Sequence, residues 1–324
     1  MKQAIYRTHG SPADVIELTE EPSEDLQPGH TRVKILRSPI NPSDVAQIEG
    51  VYGLQPPLPA PAGMEGIGEV VEVNGEGHAL GTLVLLTDPP GAWSTERVFP
   101  SETLVAVPHA DVDQLSMLTV NPATAYLLLT QYVDLKEGDW LIQSAANSAV
   151  GRYVTQLAKS RGIRVASVVR RESALADVKK AGCDAAFVDG PDLAEQVAAQ
   201  LDQEPVLALD AVAGEAFGRL ASTLRPGGTV VSYGGMSYQP VVVPDNLLIF
   251  KNITMRGFWL VNWLMSAARE EQQRVYQELT GLILSGALHA PIDRVFPLEG
   301  VNEALVHTLK GSRSGKVLLA PNGV

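Results

Sequence analysis

The chain has 324 residues, 45% of them apolar and 19% charged, which suits two domains with buried cores and excludes a disordered polymer or a small stapled scaffold. Lys and Arg number 25 against 37 Asp and Glu, a net charge of −12, which opposes any partner bound by phosphate neutralisation and argues against nucleic acid. The single cysteine, Cys183, makes neither an internal disulfide nor a Cys-rich zinc site, so the expected location is a reducing compartment, the cytoplasm.

The opening MKQAIYRTHG has no apolar core and no Arg/Ser-rich amphipathic stretch, so no presequence is visible. The first hundred or so residues are dense in Pro and Gly, with β-rich runs at 32–36, 68–73 and 82–86, the pattern of a compact β domain. Within it, Asn41-Pro42 reads as a helix start, Asn as the cap and Pro as the first helical residue. Tyr52 follows in a loop of Gly and Pro, where a tyrosine serves either as a packing aromatic or as a proton donor. The uncharged stretch 115–133 is long enough to cross a bilayer, but Asn121, Pro122 and several Thr and Gln make it a soluble helix in this reading. Asn121-Pro122 repeats the helix-start pattern.

From Gly138 onward apolar runs of four to seven residues alternate with helical segments, the signature of βαβ units on a parallel sheet. Strands are predicted at 140–144, 164–169, 185–188, 206–210, 229–233 and 253–258, with helices at 149–160, 172–181, 191–201 and 215–224. After Gly257 come two helices, 270–285 and 301–309, and a last strand at 316–319 that can return to the first domain. The expected division is 1–120 with 262–324, and 121–261.

Between the first strand of this series and its helix runs Ala145-Ala146-Asn147-Ser148-Ala149-Val150-Gly151. Small residues there let backbone N–H groups and a helix N-terminus approach a pyrophosphate, though the same turn is also what close packing alone requires. About 20 residues on, an NAD site uses Asp or Glu, and a 2′-phosphate uses Arg. The chain has Arg170 and Arg171, which point to NADP(H). Tyr233-Gly234-Gly235-Met236 follows the fifth strand, at the edge where such sheets bind ligands. Trp259 and Trp263 read as core or pocket wall. The six His residues are scattered, and neither H-E-x-x-H nor G-x-S-x-G occurs, so metallohydrolase and serine hydrolase chemistry lack their residues.

The segments INPSDVAQIEGVYG, PLPAPAGMEGIGEVVEV, LTVNPATAY, GDWLIQSAANSAVGR, VASVVRR, VVSYGGM and LLIFKNITMRGFWL, in this order, resemble the medium-chain dehydrogenase/reductase superfamily. The resemblance is closest to its zinc-free branch, the trans-2-enoyl thioester (enoyl-CoA or enoyl-acyl-carrier-protein) reductases, with quinone oxidoreductase-like relatives next. It implies an α/β protein with a GroES-like β-rich catalytic domain and a Rossmann domain with a doubly wound parallel sheet. It also implies NADPH as cofactor. Tyr52 then matches the proton donor, and Asn121 a residue beside the nicotinamide ribose. Asn147, Ser148, Ala149 and Val150 match the pyrophosphate loop, and Arg170 and Arg171 the 2′-phosphate clamp. Tyr233, Gly234, Gly235 and Met236 match the stretch along the cofactor. Phe258, Trp259, Leu260 and Val261 match the wall between nicotinamide and acyl pocket, and Lys316 a cofactor-contacting lysine. Ala149 stands where the family more often has Gly, and Glu172 where it can carry a further cation.

Where zinc-dependent relatives carry a Cys and the His of G-H-E, this chain has Asn41 and Met64, so no metal is expected. Without a Lewis acid a simple alcohol or ketone is poorly polarised. An α,β-unsaturated carbonyl is a better hydride acceptor, because charge moves to an enolate oxygen that hydrogen-bond donors stabilise. The resemblance further implies a homodimer joined through the strand at 253–258, and an acyl-CoA or acyl-carrier-protein thioester as substrate. A quinone or enone/alkenal reductase is the alternative activity, and a non-catalytic NADPH-binding protein the alternative of another class.

Overall fold

A computed structural model describes residues 1–87, 91–310 and 314–323. The chain forms two units, Met1–Val120 with Arg269–Val324, and Asn121–Ala268. The helix Leu260–Ser266 therefore belongs to the second unit.

The second unit holds a six-stranded sheet in which all neighbours are parallel. Its order is Ala185–Val188, Arg164–Val169, Trp140–Gln143, Leu207–Asp210, Thr229–Ser232, Thr254–Gly257. The chain starts in the middle at Trp140–Gln143, moves outward twice, then crosses to the other side and moves outward again. The order reverses between Trp140–Gln143 and Leu207–Asp210, and ligands of such sheets bind beyond the carboxyl ends of the strands at that reversal. Alternate residues build the core beneath one face: Trp140 and Ile142, Ala166 and Val168, Ala185 and Phe187, closed by Phe217, Leu220 and Leu224. A period of two carries one face of a strand, so this cluster follows from the apolar runs themselves.

The expected helices are present at Ala149–Ser160, Leu193–Gln200 and Gly214–Ser222, while 172–181 divides into a 3₁₀ turn, Glu172–Ala174, and the helix Leu175–Lys180. The stretch 115–133 is not one helix. A short helix, Val112–Leu115, ends in turns over 116–120, and a new helix begins at Asn121 and runs to Thr130. Pro122 accounts for the break, since proline has no N–H to close the ladder and its ring excludes a preceding turn. No described helix is long and apolar enough to cross a membrane.

The first unit carries a seven-stranded sheet and a three-stranded one. The long strand His30–Pro39 pairs antiparallel with Gly66–Asn74, Glu96–Pro100 and Lys316–Ala320. The C-terminal strand thus returns to the first unit, with Leu318 opposite Pro39. Gly63 has a left-handed φ of 96° and an added Cβ would lie 2.4 Å from Trp93 Cδ1, so only glycine lets the chain turn there against the buried indole.

Candidate active site

In the second unit, three loops meet at the carboxyl ends of the central strands. Residues 145–148 leave Trp140–Gln143 with Ala145 at a left-handed φ of 46°. Ser148 caps the helix Ala149–Ser160, its Oγ accepting from the Gly151 N–H at 3.1 Å. An added Cβ on Gly151 would lie 2.6 Å from the Ala146 carbonyl, so the helix start and the turn approach as closely as a glycine permits. Gln143 Nε2 donates to the Gly151 carbonyl at 2.9 Å from within the core. The N–H groups of the first turn of this 12-residue helix point toward the turn, which is the arrangement an anionic phosphate requires.

The second loop follows Leu207–Asp210. Asp210 is fully buried, and its carboxylate accepts from the Ser144 hydroxyl at 2.8 Å, the Val212 N–H at 3.1 Å and the Ala213 N–H at 2.8 Å. Burial raises its pKa, while Ala213, Ser144 and Val212 oppose the shift. The third loop holds Tyr233, Gly234, Gly235 and Met236. The Met236 N–H donates to the Ala211 carbonyl at 3.0 Å, and a Cβ on Gly234 would lie 2.9 Å from the same oxygen. Burial raises the pKa of Tyr233, Asp210 adds to this, and Ser148 opposes it. Ser148, Asp210 and Tyr233 thus adjoin one another, and the sequence motifs at 147–150 and 233–236 come together around Asp210, a residue the motif reading did not single out. Its signal was a lone acid closing an apolar strand.

Arg170 and Arg171 are exposed directly beyond the strand Arg164–Val169, and Glu172 opens the next turn. The strand they follow is paired with Trp140–Gln143, which leads into the 145–148 turn. Asn121 is buried at the head of its helix. Phe258 is buried, its N–H donating to the Ser232 carbonyl at 2.9 Å and its ring edge-on to Tyr132 at 6.5 Å. Trp259 and Val261 are half-buried and Leu260 and Trp263 buried along the helix that follows.

In the first unit, the helix Pro42–Glu49 starts at Asn41, whose N–H donates to Asp44 Oδ2 at 2.7 Å. It ends at Gly50 with a φ of 82°. The N–H groups of Val51 and Tyr52 then return to the Ala46 carbonyl at 2.9 and 3.1 Å, so half-buried Tyr52 leaves a fixed helix end. At the other end of the helix lies a fully buried acid, Glu65. Its Oε1 accepts from Asn41 Nδ2 at 2.7 Å, and its Oε2 from the Thr119 hydroxyl at 3.0 Å and the Val120 N–H at 2.9 Å. Lys316, expected as a cofactor contact, is buried here with its Nζ donating to Asn41 Oδ1.

Burial pushes the Asp44 carboxyl up to about 6 against the Asn41 N–H, the Lys316 ammonium and the Met64 N–H. Burial also raises Glu65, with Asp44 adding to the shift and Lys316, Asn41 and Thr119 opposing it. Asn41 and Met64 offer an amide and a thioether where a zinc site uses thiolate and imidazole, and the Asn41 amide is already held between an acid and an ammonium. No group of three or more His, Cys, Asp or Glu able to hold a metal occurs among the described residues.

A Rossmann unit with these loops, joined to a GroES-like unit, defines the medium-chain dehydrogenase/reductase class. Family models agree: residues 27–109 match the alcohol dehydrogenase GroES-like domain and 149–280 the zinc-binding dehydrogenase domain. The mitochondrial enoyl-[acyl-carrier-protein] reductase of Mus musculus is 36% identical, over 98% of this chain and 88% of its own. The human protein of that name is 38% identical over the same shares. Among solved structures, the mitochondrial 2-enoyl thioester reductase heterodimer of Candida tropicalis superposes with a TM-score of 0.89 at 28% identity, covering 98% of this chain and 99% of that one. A putative NADPH:quinone reductase of Bacillus thuringiensis reaches 0.91 at 26% identity, covering 98% of each. The chain belongs to the enoyl reductase family of the medium-chain dehydrogenases/reductases.

Proposed function

We propose that the protein reduces the 2,3 double bond of a trans-2-enoyl thioester with NADPH and without a metal. The observation that carries this reading is a Rossmann unit with an arginine pair at its second strand, in a chain similar along its length to named enoyl reductases. One relative of known structure was solved with NADP and crotonyl-CoA, at a TM-score of 0.88 and 28% identity.

Residues 147–150, with the helix start at Ala149, hold the pyrophosphate by backbone N–H groups. Arg170 and Arg171 pair with the 2′-phosphate, Tyr233, Gly234, Gly235 and Met236 line the cofactor, and Asn121 and Lys316 orient its nicotinamide half. Phe258, Trp259, Leu260 and Val261 exclude water beside the reacting carbons. NADPH held by these residues would supply the hydride that Cβ of the enoyl group receives. The charge that this places on the thioester oxygen is held by hydrogen-bond donors, and Tyr52 delivers a proton to Cα from the end of the helix Pro42–Glu49.

The reading is tested by isotope placement. Reduction of crotonyl-CoA with NADPH dideuterated at C4 should put one deuterium at Cβ, and reduction by unlabelled NADPH in D₂O one at Cα. A saturated product lacking either label contradicts the assignment.

The likeness to the Bacillus protein favours a second reading, reduction of a quinone or a small enone on the same cofactor unit. For the assembly, a second copy of this chain is the proposed partner. The strand Thr254–Gly257 is exposed at every residue on one edge of the sheet; Met255 within it is 42% exposed, and Ile249 and Phe250, shortly before it in the chain, are 67% and 81% exposed. An unpaired edge strand flanked by exposed apolar side chains is a surface on which a second strand can pair. The thioester is carried by free CoA or by an acyl-carrier protein, and the net charge of −12 gives long-range attraction to neither, since both carriers are anionic. Cysteine usage fits a reducing compartment such as the cytoplasm, while the relatives are named as mitochondrial.

A further inference from the structure

We propose that Glu65 is a positioning residue for Tyr52, acting through Asn41 and the helix Pro42–Glu49. The proposal rests on the proton-donor reading of Tyr52 and adds a residue that the motifs at the cofactor site do not include.

Three donors from two distant segments converge on one fully buried carboxylate: Asn41 Nδ2 on Oε1, and the Thr119 hydroxyl and Val120 N–H on Oε2. Its own backbone carbonyl accepts from the Ser38 hydroxyl at 2.6 Å, which fixes the carboxylate relative to the central strand His30–Pro39. The Asn41 amide is held from both sides, giving Nδ2 to Glu65 and receiving Lys316 Nζ at Oδ1. Its orientation is therefore determined, because a flipped amide would set Nδ2 against the ammonium. Asn41 is the cap of an eight-residue helix, and that helix ends in the Gly50 turn from which Val51 and Tyr52 bond back to Ala46. Gln47 Nε2 also reaches the Leu54 carbonyl at 3.2 Å, tying the far side of the Tyr52 loop to the same helix. Position is thus passed from Glu65 to Tyr52 along one short rigid element.

Stability alone does not call for an acid at this place. A buried carboxylate costs several kcal/mol of desolvation by order of magnitude, and apolar replacements of buried ion groups are frequently neutral or stabilising. What the acid supplies is direction, since only an acceptor on both atoms meets three converging donors. Glu65→Gln removes that property without changing size. Its amide nitrogen faces either Asn41 Nδ2 or the Val120 N–H, and turning the Asn41 amide only moves the conflict to Lys316.

The test is a double-mutant cycle of Glu65→Gln and Tyr52→Phe with NADPH and crotonyl-CoA, on variants whose thermal melts show a folded chain. Glu65→Gln should lower kcat about tenfold or more, with a smaller change in KM, since displacement of a reacting group by a fraction of an ångström costs of this order. In the Tyr52→Phe background the same change should lower kcat by less than about twofold. Equal fold-losses in both backgrounds, or no loss in either, overturn the proposal and leave the proton-donor reading intact. A Tyr52→Phe enzyme with full kcat/KM overturns the proton-donor reading and this proposal with it. Should Glu65→Gln fail to fold, Thr119→Val removes one of the three donors isosterically, and the same non-additivity with Tyr52→Phe is required.

Discussion

The Ser144 hydroxyl donates to Asp210 Oδ1 at 2.8 Å and accepts from the Ala211 N–H at 2.9 Å. One small residue thereby ties the start of the 145–148 turn to the loop beyond the neighbouring strand, across the point where the sheet order reverses. Ser144→Ala leaves the buried Asp210 with one donor fewer, at a cost of about 1–3 kcal/mol in stability. The NADPH Kd should rise about threefold to tenfold, read by fluorescence titration, because the 145–148 turn loses its anchor. A lowered melting temperature with unchanged cofactor affinity would show that the bond serves the fold alone.

Arg170 and Arg171 are exposed past the end of their strand, which is where a 2′-phosphate would meet them. Replacing both with alanine should raise KM for NADPH by about tenfold to a hundredfold, the value of one or two charge-assisted contacts, and leave KM for NADH nearly unchanged. Equal effects on the two cofactors would remove the arginines from the clamp.

Burial holds the Asp44 carboxyl near 6 against an ordinary value of 3.8. The group keeps its proton in the folded state while the unfolded chain releases it, so its contribution falls as pH rises from about 4 to 6 and is level above that. The full span corresponds to roughly 3 kcal/mol. The unfolding free energy of the wild type relative to Asp44→Asn should therefore decrease across this window in urea melts. A difference that rises with pH would mean that Asp44 is ionised and stabilised by Lys316 instead.

Phe250, shortly before the edge strand Thr254–Gly257 in the chain, is 81% exposed. Phe250→Glu places a charge where a second copy is proposed to pack, and light scattering should show the dimer mass of the wild type falling to that of a monomer. A wild-type monomer would dispose of the edge-strand pairing outright.

Much of this architecture is legible in the sequence because its causes are local. The runs beginning at Trp140, Arg164 and Leu207 are apolar on both faces, as strands covered on both sides must be, and Pro42 after Asn41 fixes a helix start. The uncharged stretch around Asn121 misleads for the opposite reason. It is one continuous uncharged run, and the break falls at the Asn121-Pro122 helix start within it. Asp210 and Glu65 are hidden for a third reason: each is an isolated acid, and only the donors brought to it by distant segments, Ala213 for one and Thr119 for the other, distinguish it from a solvated turn residue. The strands Lys2–Tyr6 and Ile16–Glu20 are likewise created by pairing with each other rather than by a strong pattern of their own.

The central claim is the acceptor, and its most direct measurement is the rate of NADPH oxidation with crotonyl-CoA, a longer trans-2-enoyl-CoA and a simple quinone under one set of conditions. The expected result is a kcat/KM for the thioesters at least about a hundredfold above that for the quinone, a difference of nearly 3 kcal/mol in transition-state binding. Faster turnover of the quinone would contradict the enoyl reductase assignment and leave Tyr52 without its assigned role.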